Sequence, residues 1–557
     1  PANPFPKDRK SDFNVNLDPE TIPGLMVLSK DEAVHFMHLG GLNHEESETR
    51  ERDLAAELNL TYNINITKQI NVKLSMGGKY KHKTKEYDRT ELGASNAGGD
   101  QEYRNLIYEA FENELGDRTK SAWEKDNMRI LLKDFLDLDY KGGDFLKGRY
   151  DFGYVFDREK FRRIHVLVLE TYDPTSTNEY QIIHQNFINS NYQDYHGKED
   201  YHAFYVMPEI NLGSRFLIVP GVRYEANRTE YTGYRGNRLG VLRDWRATPI
   251  DTVTKVRKNE FLLPMIQTFF KPTNWLTFKA GYTHTLQRPN YNNIMPGWVI
   301  SNQGQIWNLS NFRLRPELAR NWDIQMSLHS DKTGLFSVGA FYKEITDMIF
   351  WTGQKVVTDT LFFELPSIMN RQRAAWATNN EKETLNYGYE VEWQSNFWYL
   401  PGLLRGLVMN VNYTRNKSEA EYLRTRIRVQ IDPKTYKTTL MNEDTTYTSP
   451  MILQPDHLLN LTLGYDYRGF SIRWAMRYSS RIFKNADWYE KLRGYSSDFY
   501  RYDLAIRQKM PVRGLELFLN VNNLTNELER DIINHMGFTR YLEDYGRNAN
   551  VGLRYQF

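Results

Sequence analysis

The chain has 557 residues, more than one ordinary soluble domain needs, and its 72 basic residues nearly balance 70 acidic ones. This balance gives no argument for nucleic-acid binding, and the lack of Cys excludes disulfides and thiolate metal sites. Mean hydropathy is −0.66, and no apolar run approaches the length of about eighteen residues that a membrane-spanning helix needs.

The first predicted strand lies near Asp53–Ile66. We assign residues 53–557 to one set of β-strands and residues 1–52 to a loop segment in front of it. Within the set, residues 90–189 form a connection too long for an ordinary loop. Connections of this length are usually functional or disordered.

Part of this long connection has helical spacing. With Asp100 at the N-cap position, the apolar residues recur at intervals of three and four, namely Tyr103, Leu106, Ile107, Ala110 and Phe111. The pattern predicts a structured lid that carries a short amphipathic helix. The alternative is a flexible loop in which the spacing is accidental.

The same connection contains a group of acidic residues, namely Asp134, Asp137, Asp139 and Asp144. Carboxylate oxygens are ligands of hard cations such as Ca²⁺, so these four are weak candidates for a metal site. Their spacing differs from that of an EF-hand loop, and a solvated acidic face is the simpler interpretation. We therefore assign no metal and no cofactor.

Sequence signatures of enzymes are missing as well. The chain contains no HExxH, GxSxG or GK[ST] segment, and its 12 His are scattered. We therefore assign no catalytic residue and do not expect an enzyme.

Alternation with period two is the main signal in the rest of the chain. It places apolar side chains on one face of each strand and polar ones on the other. The clearest segments are Trp322–Leu328, Leu407–Tyr413, Leu459–Tyr465, Phe470–Tyr478, Leu515–Val521 and Val551–Phe557. Pro208, Pro220 and Pro264 fall inside predicted strands. Since proline cannot donate a ladder hydrogen bond, we expect bulges or strand ends there.

The connections between predicted strands alternate between short and long. Short turns are predicted at Thr67–Gln69, Leu212–Ser214, Lys271–Asn274, Asp331–Thr333, Tyr399–Gly406, Arg468–Gly469 and Pro511–Gly514. Outer-membrane barrels have short periplasmic turns and long extracellular loops, whereas a soluble sheet has no reason to sort its loops in this way. The predicted fold class is therefore all-β, a transmembrane antiparallel β-barrel in the outer membrane of a Gram-negative bacterium, surrounded by lipid.

Aromatic residues support the membrane interpretation. The chain has 37 Tyr, 29 Phe and 12 Trp, and several lie beside the short turns, namely Trp275, Phe397, Trp398, Tyr399, Tyr467 and Phe470. Amphipathic rings suit the headgroup zone of a bilayer. We predict that these residues form the periplasmic girdle.

About fifteen strands are predicted, whereas bacterial single-chain barrels have an even number. If Phe557 ends on the short-turn side, this odd count places residues 1–52 outside the cell. We therefore expect that earlier strands are absent from this chain. The alternative is an error of one strand in the count.

Several stretches resemble the TonB-dependent transporter family. Asn522–Asn526 (NNLTN) and Ala549–Phe557 resemble its near-terminal strand end and its last strand. Leu286–Tyr291 (LQRPNY) and Phe312–Asp323 (FRLRPELARNWD) resemble its RP…NPxLKPE…NYD region. Gly221–Glu225 (GVRYE) resembles a strand of Bacteroidetes-like members. Tyr387–Trp398, followed by Leu400–Leu403 and Gly406–Tyr413, resembles barrel segments of the same members. The resemblance covers roughly residues 190–557 and is weaker over residues 53–89.

This resemblance implies a barrel of about twenty-two strands with a plugged lumen. The partners it implies are the N-terminal plug and early strands of the same protein, the TonB complex acting through the plug, and an unknown small ligand, without nucleic acid. The implied function is active uptake of a scarce ligand: a siderophore, vitamin, peptide or glycan. A passive porin and a surface adhesin built on a barrel remain open.

The C-terminal residues carry one further expectation. Val551, Leu553, Tyr555 and Phe557 resemble the family's signal for the barrel assembly machinery. By the same alternation, Tyr555 and Phe557 are predicted to face lipid, and Arg554 and Gln556 the lumen.

Overall fold

The structure is a computed structural model that describes residues 39–95, 101–126, 130–140, 155–176, 181–186, 190–237, 250–300, 306–307, 309–487, 489–533 and 539–557. Nineteen strands form its main sheet. Four of them belong to connections. The other fifteen run antiparallel, and each pairs with the long strands next to it in the chain. The predicted number of about fifteen strands is confirmed for this part of the chain.

The fifteen long strands are β1 (Gly41–Asn65), β2 (Ile70–Ser95), β3 (Tyr195–Leu212), β4 (Phe216–Asn237), β5 (Ile250–Thr273), β6 (Leu276–Gln287), β7 (Glu317–Ser330), β8 (Gly334–Thr346), β9 (Thr384–Asn396), β10 (Leu407–Ile431), β11 (His457–Tyr467), β12 (Phe470–Ser479), β13 (Phe499–Lys509), β14 (Leu515–Asn522) and β15 (Asn548–Tyr555). Short turns and long connections alternate along this series, as predicted. The short turns span residues 66–69, 213–215, 274–275, 331–333, 397–406, 468–469 and 510–514.

The long connections contain the helices and the remaining strands. The helices are α1 (Gln101–Asp126), α2 (Arg158–Glu170) and the single turn α3 (Tyr291–Ile294), with 3₁₀ turns at Leu132–Phe135, Ser367–Met369 and Glu490–Leu492. A further 3₁₀ turn, Gly402–Gly406, lies in a short turn of the sheet. The strands of the connections are His184–Gln185, Trp298–Ile300, Ile306–Trp307, Ile349–Trp351, Lys355–Val356, Arg373–Ala374, Ala377–Asn379, Thr438–Ser449, Phe483–Asn485, Gly494–Ser496, Glu529–Ile533 and Thr539–Glu543. Within the described ranges, no helix is both long enough and apolar enough to cross a membrane.

The predicted helix in the first long connection is confirmed, and it is longer than expected. Tyr103, Ile107 and Phe111 of α1 are buried, and they pack with Ile164 and Val168 of α2 in one apolar cluster. Asp100, the expected N-cap, lies outside the described residues. The buried apolar residues of the chain lie mainly in such clusters, formed by the long connections and by the strand ends next to them.

Two predicted loop boundaries are wrong. β1 begins at Gly41, so residues 41–52 belong to a strand, and Arg52 pairs with Thr84 of β2. This part of the hairpin carries ion pairs between Lys83 and Glu51 and between Arg89 and Glu45, as expected of strands that lie in water. Likewise, the alternation of short and long connections predicts a loop over Arg424–Ile452, but β10 continues to Ile431 and pairs there with Thr438–Ser449. Both extensions are rich in polar residues. They therefore carry little of the apolar alternation by which the strands were found.

Neither the bulges nor the strand ends expected at the prolines occur, because all three prolines lie within long strands. Pro208 of β3 lies opposite Pro220 of β4, and the pairing of these strands is interrupted between Val206↔Val222 and Ile210↔Ile218 without a shift of register. Pro264 pairs in register with Val222. Since neither opposed proline has an N–H, the missing hydrogen bonds need no bulge to accommodate them.

The two faces of the sheet differ in polarity. Residues that pair directly lie on the same face, so the face of Ile324 can be followed from strand to strand; we name it the outer face. It exposes apolar side chains in mid-strand, and Leu58, Leu262, Ile324 and Leu553 are each at least 60% exposed. A band of exposed apolar side chains is the surface expected against lipid.

Aromatic rings border the outer face at both ends of the strands. Tyr282, Trp322, Tyr342 and Tyr387 form a row in which successive ring centroids lie 5.2, 5.6 and 6.3 Å apart. At the short turns, Trp275, Trp398, Tyr399 and Tyr467 are exposed. The Trp398 indole N–H donates to the Asp331 carbonyl across 2.9 Å. Four of the six predicted girdle residues are thus exposed at the short turns, whereas Phe397 and Phe470 are half-buried.

The last strand has the predicted alternation. Leu515 pairs with Tyr555 on the apolar outer face, while Glu516 pairs with Arg554 on the polar inner face. The Arg554 guanidinium lies 5.9 Å from the Phe518 ring on that inner face. Phe557 follows the strand, with its ring 4.9 Å from Tyr555.

Each end of the fifteen-strand series has a strand paired on one side only, as far as the described residues show. β1 pairs with β2 alone, and β15 pairs with β14 alone. Their outward edges therefore present unpaired N–H and C=O groups.

Candidate functional site

The inner face of β2 carries a row of lysines, namely Lys73, Lys79, Lys81, Lys83 and Lys85. Carboxylates of the neighbouring strands pair with them. Lys81 lies 2.6 Å from Asp53, Lys83 lies 2.6 Å from Glu51, and Lys73 lies 2.8 Å from Glu209. Each of these three lysines thus has a carboxylate partner on the inner wall.

The connection after β6 folds back onto this inner wall. Arg288, in the predicted LQRPNY motif, donates to the Glu225 carboxylate of β4 across 2.8 Å. Glu225 is buried, and it also accepts from Arg223 across 2.7 Å. Arg223 donates in turn to the Tyr201 hydroxyl across 2.8 Å. This network anchors the start of the connection to β3 and β4.

Tyr291, three residues further on, lies against the same wall. The Lys85 and Lys83 ammonium groups lie 4.6 and 5.4 Å from the centre of its ring. Burial, with a further contribution from the nearby Glu199 carboxylate, raises the pKa of Tyr291 to about 12. Tyr291 stacks beside Tyr195 and meets Tyr231 edge-on, with centroid distances of 6.3 and 5.9 Å. Three tyrosines and two lysines therefore form one aromatic and cationic surface beneath this connection.

A polar cavity of about 330 Å³ adjoins this surface. Its lining includes Lys85, Tyr87, Tyr195, Tyr234, Asn292 and Asp194. Asp194 accepts from the Arg89 backbone N–H across 2.8 Å and from the Asn191 amide across 3.0 Å. Burial nevertheless raises the pKa of its carboxyl to about 6. The cavity can accept polar groups of a ligand, but its volume suits only part of a large one.

The connection after β8 packs over the connection after β6. Glu364 is held by Lys255 across 2.5 Å and by Arg235, and these two hydrogen bonds lower the pKa of its carboxyl. In the second predicted motif, FRLRPELARNWD, Arg315 binds Asp347, and the Arg313 guanidinium lies 4.4 Å from the Phe362 ring. The two connections therefore form one cap, fixed to the wall at several points.

A second basic and aromatic group is formed by β10, by the connection after it and by the connection after β12. The Arg424 side chain is buried, its Nη1 donates to the Trp351 carbonyl across 2.8 Å, and burial lowers its pKa. The Arg493 guanidinium lies 3.7 Å from the Tyr447 ring. The buried Nε atoms of Arg424 and Arg493 have no hydrogen-bond acceptor within the described residues. We name Arg424, Tyr447 and Arg493 the arginine cluster.

The acidic candidates for metal binding do not converge in the part of the chain that the structure covers. Asp137 accepts the backbone N–H groups of Asp139 and Tyr140, both at 3.1 Å. Burial raises the pKa of the Asp134 carboxyl. Asp144 lies outside the described residues. Among the residues described, no group of three or more His, Asp or Glu is arranged to hold a metal ion.

The predicted motifs have structural roles that sequence reasoning did not assign. In NNLTN, Asn523 has φ +55°, and its amide donates to the Glu527 carbonyl across 3.2 Å and the Gly546 carbonyl across 3.0 Å. It therefore closes the connection after β14. The cavity and the arginine cluster were missed, because their residues come from connections far apart in the sequence. Only the motifs around Arg288 and Phe312 gave a local signal.

Comparison with known proteins gives one family. The profile of the family described as "TonB dependent receptor-like, beta-barrel" matches residues 6–524. No curated protein sequence matches the chain.

Solved structures share the fold at low sequence identity. The chain is similar to the closed form of the ferric-catecholate import receptor Fiu from E. coli K12, with 14% identity, a TM-score of 0.52 and coverage of 92% of this chain and 55% of that chain. It is also similar to the siderophore receptor PiuA from Acinetobacter baumannii, with 14% identity, a TM-score of 0.50 and coverage of 93% and 57%. The chain thus spans little more than half the length of either receptor.

Proposed function

Because the chain belongs to the family of TonB-dependent receptor-like β-barrels, we propose that it supplies the C-terminal strands of a transporter for the active uptake of a scarce ligand. The chain is an outer-membrane protein. Its apolar outer face, its polar inner wall and the cap of long connections all support the proposal. A plug and the TonB complex supply the energised step, and both are part of this proposal.

The unpaired edges of β1 and β15 support a larger barrel. Backbone N–H and C=O groups without partners are costly in hydrocarbon, so both edges require further strands. We propose that early strands of the same protein pair with both edges, and that the plug of that protein occupies the space behind the inner wall.

The arginine cluster carries the proposal about the ligand. Among the described residues, neither guanidinium group forms a salt bridge with a carboxylate, although Asp487 is near enough to Arg424 to act on its charge. Both groups lie beside tyrosine rings. Guanidinium groups bind carboxylate, phosphate and other oxyanions through paired N–H donors. We therefore propose a ligand with anionic groups, which leaves siderophores, anionic peptides and acidic glycans in preference to neutral ones.

The experiment uses the full-length receptor in its native outer membrane. Native mass spectrometry of the purified protein identifies a co-purified ligand, and uptake of that ligand is measured in cells with and without TonB. We expect uptake to require TonB and to fall in Arg493→Gln. Arg428→Gln, which replaces an exposed arginine of β10 outside the arginine cluster, is the control and should leave uptake unchanged. Equal uptake without TonB would indicate a passive porin and contradict the proposal.

A further inference from the structure

Two histidines from distant parts of the chain meet at the edge of the first long connection. His44 lies near the start of β1, and His165 lies on α2. The His44 Nδ1 and the His165 Nε2 are 3.1 Å apart, and the ring centroids are 5.1 Å apart. Both side chains are partly buried, so the contact is open to water on one side.

This separation of nitrogens fits shared coordination of one metal ion. Imidazole nitrogens bind zinc at about 2.0–2.1 Å. Two nitrogens 3.1 Å apart at that bond length subtend an angle of about 98° at the metal, which lies between octahedral and tetrahedral values. Without a metal, one N–H···N hydrogen bond fills the same gap.

The backbones of both residues are fixed by other contacts. His44 pairs with Leu92 in the β1–β2 ladder. In α2, the N-cap Asp157 accepts from the backbone N–H of Glu159 across 2.9 Å, and Ile164, next to His165, is fully buried. The two imidazoles therefore need little rearrangement to accept an ion, which reduces the entropic cost of binding.

The charged residues next to the pair in the sequence are compatible with a cation. Glu46 lies two residues from His44 on the same face of β1 and is exposed. On α2, the Arg162 side chain is paired with Glu159 across 2.8 Å, and that of Arg163 with Glu114 across 2.9 Å. The charges of both arginines before His165 are therefore balanced by carboxylates.

We propose that His44 and His165 bind one divalent transition-metal ion of borderline softness, with water in the remaining coordination positions. Imidazole suits Zn²⁺, Ni²⁺ and Cu²⁺, and the order of intrinsic affinities makes Cu²⁺ the tightest of the three. The ion joins the helical part of the first long connection to the wall strand β1. This site is distinct from the arginine cluster and does not depend on the identity of the transported ligand.

The experiment uses the full-length receptor in detergent, stripped with a chelator, and Cu²⁺ as the probe. Isothermal titration should give one tight site, and electron paramagnetic resonance should show coupling to two nitrogens. His44→Gln and His165→Gln should each weaken binding about tenfold or more, because one ligand is lost. His329→Gln, an exposed histidine near the opposite end of the wall, is the control.

A second measurement separates binding from misfolding. Saturating Cu²⁺ should slow proteolysis of the first long connection in the native protein but not in the two variants, which should keep the heat-modifiable mobility of a folded barrel. Copper affinity that is unchanged in both variants would overturn the proposal. A similar loss in His329→Gln, or coupling to a single nitrogen, would overturn it as well.

Discussion

Replacing Arg288 by Ala tests whether the connection after β6 is held to the inner wall by the buried carboxylate of Glu225. The change removes a 2.8 Å hydrogen bond and a guanidinium that lies 5.3 Å from the Tyr201 ring. Glu225 keeps its second partner, Arg223. We therefore expect the connection to detach more readily, while the strands of the wall stay folded.

The size of the effect follows from the exposure of the two partners. Removing one partner of a fully buried pair costs about 3–5 kcal/mol, whereas an exposed pair contributes about 0–1 kcal/mol. The Arg288 side chain is 39% exposed and that of Glu225 is 11% exposed, so solvent screens part of the interaction. We expect a loss of about 1–3 kcal/mol in the local free energy of opening, which is about a 5- to 150-fold increase in the open population.

Hydrogen exchange of the backbone measures this opening directly. The Met295 and Asn311 amides donate to Tyr291 and Asn293 within the connection, at 2.9 and 2.8 Å, and they should exchange faster in the variant. The matched control is Arg228→Ala on β4, where an exposed arginine pairs with Glu230 across 3.0 Å. Unchanged exchange in Arg288→Ala, or an equal change in Arg228→Ala, would refute the assigned anchor.

Four further predictions follow from the structure. Ile324→Lys on the outer face should lower the free energy of unfolding of the barrel by about 2–4 kcal/mol, whereas Gln325→Lys on the inner face should lower it far less. Equal losses of unfolding free energy in urea would contradict the assignment of the two faces. Because burial raises the pKa of Asp194 to about 6, the protonated carboxyl stabilises the folded protein. This stability is fully present below pH ~4 and is lost as pH rises through 6, by up to about 3 kcal/mol. Protease resistance around residues 190–195 should fall over the same pH range, and Asp194→Asn should abolish this pH dependence. Phe557→Asp should lower the heat-modifiable folded fraction more than Val512→Asp, an exposed turn substitution, if the C-terminal residues act as an assembly signal. Intact mass measurement of the native barrel should find further strands joined to or associated with this chain, and a lone 65.9 kDa species forming a sealed monomer would disprove the larger barrel.

The strands were predictable because their signal is local. Because the outer face of a barrel lies in lipid and its inner face in water, apolar and polar side chains alternate along every strand that crosses the membrane. The length of each turn indicates whether it lies on the periplasmic or the extracellular side. The signal ends where a strand leaves the membrane. The water-exposed parts of β1 and β10 are therefore strands that polar sequence alone did not reveal.

The candidate site was much less predictable. Arg288 and Glu225 are 63 residues apart, and nothing in the spacing of either residue points to the other. Arg493 likewise meets Tyr447 only through the packing of separate connections, whereas Arg424 and Tyr447 belong to one hairpin. The acidic residues around Asp134 are close together in the sequence, yet those that the structure describes do not come together as a metal site. Asp137, for example, accepts a hydrogen bond from the backbone of Asp139.

The opposed prolines of β3 and β4 have a mechanical consequence. Where Pro208 faces Pro220, the two strands pass three residues without ladder pairing, so side-chain contacts alone join them over that distance. Over those three residues, no ladder hydrogen bonds resist bending of one strand against the other. The paired residues on both sides of the gap keep the register. The wall can therefore flex locally at the prolines while β3 and β4 stay joined.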